Sequence, residues 1–412
     1  MAAVVLHGTL NLSKQQFGAT AAAVNVIQHA AYSSEVRPIK KPALSQMRKG
    51  AGGRSSFNGV VATVFGSTGF LGRYVTNELG KHGTQLILPY RGDNYEVFRM
   101  KLVGDLGQVY FHPFELRDEE SIRQAVKYSN VVVNLIGRDW ETKNYKFNDV
   151  NVEGARRLAR ISREMGVEKF IHLSALNATP NPQPKMILKG SGVLRSKYFG
   201  ELAVREEFPD AVILRPSIIY GLEDRWLMHH SNFIRVNGFR FPLYKKGHGI
   251  TKMPVSVDDI ATAIYEIIKN PDSAGKVYQA VGPHRYSLHD LMLWIMSEIR
   301  KGQEDGFSVS DLRFDPIQIA KILFFENLPG TPVAAMHRET LELEATTDVV
   351  DYSLPTLVEL GMKPTPLSDQ ITWLLKPYHH MNYITSSVGD FDKSVHFKLL
   401  LEPLAFFHSR LW

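Results

Sequence analysis

A run of apolar and β-branched residues, Val60–Phe65, stops at Gly66 and passes through Gly66-Ser67-Thr68-Gly69-Phe70-Leu71-Gly72 into a helical pattern over Phe70–Leu79. No other feature restricts the fold as much. A strand that is apolar on both faces belongs between two helix layers. Glycine lets the backbone turn tightly and approach a pyrophosphate. The helix start behind it offers free N–H groups and a partial positive charge, and Gly72 permits close packing of helix on strand. The spacing is GxxGxxG, a variant of GxGxxG. In a chain with 31 glycines the spacing alone carries little, and its weight comes from its place at the first strand–helix junction. A tight turn with no ligand is the bland alternative.

The pattern continues in alternation. Strands are expected at Gln85–Leu88, Val109–His112, Asn130–Ile136 and Lys169–Leu173, and helices over 118–127 and 144–165. Apolar strands separated by helices predict an α/β protein with a doubly wound, mostly parallel sheet. This body runs over 57–300 and includes a smaller substrate-side lobe. After about residue 300 the alternation weakens. Residues 301–412 hold short apolar pieces, Ile317–Phe325 and Phe397–Phe407, and are expected to be a C-terminal extension that packs on the body or on a partner. The stretch Phe397–Trp412 is too short, and too broken by Pro403, to span a bilayer. It either buries against the body or docks on a partner or membrane surface, and its aromatics favour docking.

Composition removes whole classes. The 412 residues include no cysteine. That excludes disulfides, thiolate metal sites and a cysteine nucleophile. The net charge of +6 is local: residues 1–56 carry seven basic side chains against one acid, Glu35, which leaves 41 of each sign in the remainder. A neutral body has no field to attract nucleic acid. The N-terminal 56 residues have the acid-poor, basic, Ser- and Ala-rich composition of a mitochondrial presequence. Cleavage is expected near Tyr32 or Ser33, with Gly50–Gly53 as linker.

Which dinucleotide the loop would hold turns on the end of the second strand. Arg91 follows Pro89-Tyr90 there, and it can pair with a 2′-phosphate. Asp93 is the competing choice, for the ribose hydroxyl of NAD. Arg91 stands nearer the strand, so NADP(H) is favoured. The same loop can also hold the ADP half of FAD. The pairs His229–His230 and His379–His380 are assigned structural or surface roles rather than metal binding. Asp258–Asp259 suits a helix start. Leu291, Trp294, Ile295 and Ile299 have core spacing.

Residues 58–300 resemble the extended and atypical short-chain dehydrogenase/reductases, which are Rossmann proteins. The resemblance rests on Gly66–Gly72, the strand Val131–Gly137, Asn151, Ser174, Ser196-Lys197-Tyr198, Leu214-Arg215-Pro216-Ser217 and Val255–Ile260. It implies that Gly66, Ser67, Thr68, Gly69, Phe70, Leu71, Gly72, Arg91, Ser174, Lys197 and Pro216 bind the nucleotide. Reduction in that family needs a tyrosine four residues before the lysine, one helical turn away on the same face. Here that position is Val193, which cannot transfer a proton. Tyr198 lies about 140° round the helix and is no simple substitute.

The presequence, the missing tyrosine, the long C-terminal extension and the stretches Phe170–Ala178 and Thr251–Val255 resemble the nucleotide-binding accessory subunits of mitochondrial respiratory complex I. That resemblance implies bound NADPH, no catalytic turnover, no catalytic or metal residues, other complex I subunits as partners, and a place on the matrix side near the inner membrane. An active NADPH-dependent reductase or epimerase of the matrix is the alternative. Position 193 separates the two.

Overall fold

The computed structural model describes residues 48–93, 95–236, 240–299, 308–327 and 337–378. Seven strands form one sheet: β1 (Val61–Phe65), β2 (Gln85–Tyr90), β3 (Val109–Pro113), β4 (Val131–Asn134), β5 (Lys169–Leu173), β6 (Val212–Pro216) and β7 (Val277–Ala280). Their order is β7-β6-β5-β4-β1-β2-β3. Every pairing in this sheet is parallel, with Val64 beside Val133 and Thr63 beside Ile87. The chain winds from β1 outward to β3, then crosses back to β4 on the other side of β1. The carboxyl end of β1 is thus the switch point, where doubly wound sheets bind ligands.

The helices are α1 (Phe70–Lys81), α2 (Glu119–Val126), α3 (Ala155–Glu164), α4 (Gly192–Glu207), α5 (Arg225–Val236), α6 (Val257–Lys269), α7 (Leu288–Ile299), α8 (Pro316–Asn327), α9 (Arg338–Ala345) and α10 (Leu367–Leu375). Successive strand residues point to opposite faces. Ala62 and Val64 of β1 and Val133 of β4 therefore enter one core with Val75 of α1 and Ile260 and Ile264 of α6. Phe65, Val132 and Phe170 enter another with Ile122 of α2, Leu158 of α3 and Val204 of α4. Both faces are apolar because both are covered.

Two local details differ from simple periodicity. Asp118 caps α2 by accepting from the Glu120 and Ser121 N–H groups at 3.1 and 3.3 Å, so the helix starts one residue later than expected. Ahead of α3, residues Asp149–Gly154 form a π-helical turn. The wider turn brings the Asn151 carbonyl against α4 at Gly200, where a Cβ would collide with it. A 3.6-residue pattern carries no sign of such a turn.

The smaller lobe has its own core, built from Leu227 of α5, Phe241, Tyr286, Leu291, Ile295 and Ile299 of α7, and Ile371, Leu374 and Leu375 of α10. Trp294 packs at its margin. Ser308–Asp311 pairs in parallel with Arg240–Leu243. The described residues beyond 300 therefore complete this lobe, and Leu357 enters the sheet's own core. At the other end, Gly50–Gly53 lies in a turn closed by a Lys49–Phe57 bridge, and Arg54 donates to Asn77 Oδ1 at 2.8 Å. That stretch rests on the body, because α1 supplies a partner for Arg54. The presequence cleavage region, His379–His380 and Phe397–Trp412 lie outside the described residues. Among the described residues no helix is long and apolar enough to cross a membrane.

Candidate nucleotide-binding site

The glycine loop sits at the switch point. Gly66 has φ +85°, and a Cβ there would also press on the Leu135 backbone at 3.1 Å. Gly69 is the N-cap of α1, with no side-chain cap and no acid in the first turn. Its own N–H bonds to the Gly66 carbonyl at 3.1 Å. A Cβ at Gly72 would strike the Gly66 carbonyl and Ser67. The Ser67 hydroxyl is buried without a partner among the described residues. Thr68 is half-buried beside exposed Gly69. Phe70 meets Tyr74 edge-on at 5.6 Å, and Leu71 turns into the core. The result is a backbone cradle with free N–H groups and an unmet hydroxyl, which suits an anionic ligand such as a pyrophosphate.

The segment Leu135–Gly137 joins this loop to α4. A Cβ at Gly137 would lie 2.7 Å from Lys197 Nζ and 3.7 Å from Asn151 Oδ1. Lys197 is buried, and its ammonium donates to the Leu173 carbonyl at 2.9 Å. Burial pulls its pKa down to about 8, against the opposing pull of Glu201. Asn151 Nδ2 donates to Ser196 Oγ at 2.9 Å, and Ser196 Oγ donates to the Val193 carbonyl. Asn134 donates to His172 Nδ1 at 3.1 Å, and burial pushes the His172 pKa down to about 3. The Ser174 hydroxyl, Asn151 Oδ1 and His172 Nε2 are buried without partners among the described residues. Pro216 ends β6, and its carbonyl accepts from Leu176 N–H.

Val193 is buried one turn before Lys197 on α4. The Tyr198 ring meets Phe199 edge-on at 5.7 Å, and Arg215 is held by Glu201 through bonds of 2.9 and 2.6 Å. Arg91 follows β2, exposed, with its guanidinium 5.7 Å from the Tyr145 ring centre. Asp93 instead accepts from Tyr95 N–H at 3.3 Å.

Sequence reading missed what closes the opposite side. Residues 337–348 cross the carboxyl edge of the sheet as a strap. Glu339 accepts from Ser191 Oγ and Gly192 N–H at 2.9 and 3.0 Å, at the N-terminus of α4. Glu342 accepts three N–H groups, from Lys185, Met186 and Ile187, at 2.6–2.9 Å. Asp348 accepts from Asn177, Ser217 and Met253. Lys252, fully buried, donates to the Leu343 carbonyl at 2.9 Å. Asp259 of α6 holds Thr365 through its N–H and hydroxyl at 2.7 and 3.0 Å. His230 pairs with Glu344 at 2.9 Å inside the lobe. The partners of these acids lie up to 171 residues away, so no local pattern announces them.

The parallel sheet with a glycine loop at its switch point defines the short-chain dehydrogenase-like class. The model of the NAD dependent epimerase/dehydratase family matches residues 62–281. The chain is 42% identical over 350 residues to the NADH dehydrogenase (ubiquinone) 1 alpha subcomplex subunit 9, mitochondrial, of Rattus norvegicus, covering 83% of this chain and 86% of that one. It is 34% identical over 334 residues to the mitochondrial NADH-ubiquinone oxidoreductase 40 kDa subunit of Neurospora crassa, covering 81% and 83%. The chain belongs to the NAD dependent epimerase/dehydratase family and, within it, to the family of these mitochondrial complex I subunits. The UDP-glucose 4-epimerase of Thermus thermophilus, solved with NAD, shares the fold at a TM-score of 0.55 and 17% identity, covering 77% of this chain and 99% of that one.

Proposed function

We propose that this chain is a non-catalytic, NADPH-binding accessory subunit of mitochondrial complex I, on the matrix side near the inner membrane, that supports assembly or stability of the peripheral arm. Residues 1–56 serve as presequence and linker on this reading, 57–300 as the nucleotide-binding domain, and 301–412 as the packing and docking extension. The observation that carries it is Val193. It stands one turn before Lys197, where the family's chemistry needs a proton donor, and an isopropyl group holds no transferable proton. Binding has no such need. Gly66–Gly72 would hold the pyrophosphate through backbone N–H groups, Lys197 with Ser174 and Pro216 would line the nicotinamide ribose, and Arg91 would face the 2′-phosphate. When bound, NADPH supplies a hydride, but these residues move no proton toward an acceptor. The relatives support the partner assignment, and Arg91 supports NADPH over NADH, with FAD as the competing nucleotide.

The test is the purified full chain with NADPH and a panel of ketones and nucleotide sugars, followed by absorbance. No steady oxidation is expected. Turnover in the ordinary enzyme range of about 1–10³ s⁻¹ would overturn the reading. Mass analysis of nucleotide released from the natively purified complex decides between NADPH, NADH and FAD.

A further inference from the structure

Strands β2 and β4 are the two neighbours of β1 in the sheet. Residues just beyond them therefore flank the glycine loop. Arg91 follows β2 and Arg138 stands four residues past β4. Four arginines gather at this edge. Arg91 and Arg117 lie 5.7 and 4.4 Å from the Tyr145 ring centre, and Arg138 and Arg225 lie 5.1 and 4.2 Å from that of Trp140.

Two of the four are answered within the protein. Arg225 pairs with Asp139 at 2.9 Å. Arg117 donates to the Asn144 carbonyl at 2.6 Å and lies 4.0 Å from Asp149. Glu115 accepts from the Tyr145 hydroxyl at 3.2 Å, and Glu141 is paired with Lys146 at 3.1 Å. Arg91 and Arg138 bond to no acceptor among the described residues. Arg138 is half-buried, and burial together with the charges of Arg91 and Arg225 lowers its pKa, against the opposing pull of Asp139, which Arg225 already holds. Two unmatched guanidiniums, one of them partly desolvated beside like charges, are a cost to the fold that a ligand can relieve. The charge to be matched is two. A phosphomonoester carries about −1.5 to −2 near pH 7 with three acceptor oxygens, whereas a carboxylate carries one.

We propose that Arg138 and Arg91 together form a two-guanidinium clamp for the 2′-phosphate of the dinucleotide, with Trp140 as the plate that holds Arg138. This rests on the NADPH reading above and adds Arg138 as a second residue that sets cofactor choice.

The experiment is calorimetric titration of the full chain and its Arg91→Ala, Arg138→Ala and double variants. The probes are NADPH, NADH, adenosine 2′,5′-bisphosphate, 5′-AMP and inorganic phosphate. Loss of a charged, forked contact should cut the preference for NADPH over NADH, and for the bisphosphate over 5′-AMP, by about tenfold or more in Arg138→Ala. NADH and 5′-AMP affinities should stay within about threefold of the unmodified chain. Equal weakening of NADPH and NADH would overturn the clamp, and so would an effect confined to inorganic phosphate. If the unmodified chain binds NADH as tightly as NADPH, or neither, the NADPH reading itself fails and the clamp with it. Should Arg138→Ala not fold, Trp140→Leu decides. It keeps both charges and removes the plate, so selectivity should fall while NADH binding persists; unchanged selectivity would overturn the clamp.

Discussion

Two helix starts at the carboxyl edge of the sheet, those of α1 and α4, are finished in opposite ways. At α1 the N-cap is a glycine without a side-chain cap, the first turn has no acid, and Ser67 Oγ has no partner among the described residues. At α4 the cap is Ser191, whose hydroxyl accepts from Leu194 N–H and donates to Glu339. Glu339 also takes the Gly192 N–H. An anion at a helix N-terminus is favourable in either case. At α4 the chain supplies that anion from a segment 147 residues beyond Gly192. At α1 it supplies none among the described residues. The contrast separates an edge left for a ligand from an edge the protein has closed on itself, and it agrees with a reading in which the nucleotide is kept and turnover is not.

The sharpest way to break this comparison is to place an anion where α1 has none. Gly69→Asp should abolish NADPH binding, because the carboxylate repels the phosphates at closest approach. NADPH at a hundredfold excess over its Kd should stabilise the unmodified chain by roughly 2.7 kcal/mol, and this gain should vanish in the variant. Thermal unfolding with and without NADPH reads both. Retained stabilisation would mean that the α1 edge is not the nucleotide's seat.

The converse change opens the closed edge. Glu342→Ala strands three N–H groups around a fully buried carboxylate position. A buried unmet donor costs about 1–3 kcal/mol, so the denaturant midpoint should shift by an amount in that range or above it. NADPH affinity should change by less than about threefold. Glu342→Gln, which keeps an accepting oxygen, should recover part of the loss. A large loss of NADPH affinity would show that the two edges are coupled rather than separate.

Between the edges lies His172, which sharpens the comparison by pH. It is neutral in the fold, with its pKa pushed to about 3 by burial and by Lys197. The unfolded chain takes up a proton as pH falls through about 6.5. Stability should therefore drop below that pH by up to about 1.4 kcal/mol per unit. Between pH 7 and 5 the unmodified chain should lose about 2 kcal/mol more than His172→Gln, measured by denaturant titration. Equal losses would mean that His172 can protonate in place.

The smallest expected effect is on chemistry. Val193→Tyr restores the phenol one turn before Lys197, yet the strap still crosses the substrate edge. Carbonyl reduction should stay below about 1 s⁻¹ in the NADPH oxidation assay. Robust turnover would show that the strap leaves room for substrate.

Much of the candidate nucleotide site was legible residue by residue. Val60–Phe65 and Gly66–Gly72 announced the strand, the loop and the helix start, because each depends on side chains within one turn of the chain. Val193 was legible through its spacing from Lys197. Arg91 was legible as the residue after a strand. Arg138 was not, although it too follows a strand, since its nearness to Arg91 depends on β4 lying beside β1. The π turn at Asp149–Gly154 was hidden because periodicity assumes one helical pitch.

By itself, then, the sequence determined the alternation of strands and helices, the backbone cradle, the valine four residues before Lys197 and the acid-poor composition of residues 1–56, all of them properties of near neighbours. The tertiary structure decided which edge is open. Glu339, Glu342 and Asp348 acquire their roles only when the fold sets them against donors 95–171 residues away. Such pairings follow from how cores pack and strands order, and short-range pattern carries no record of either.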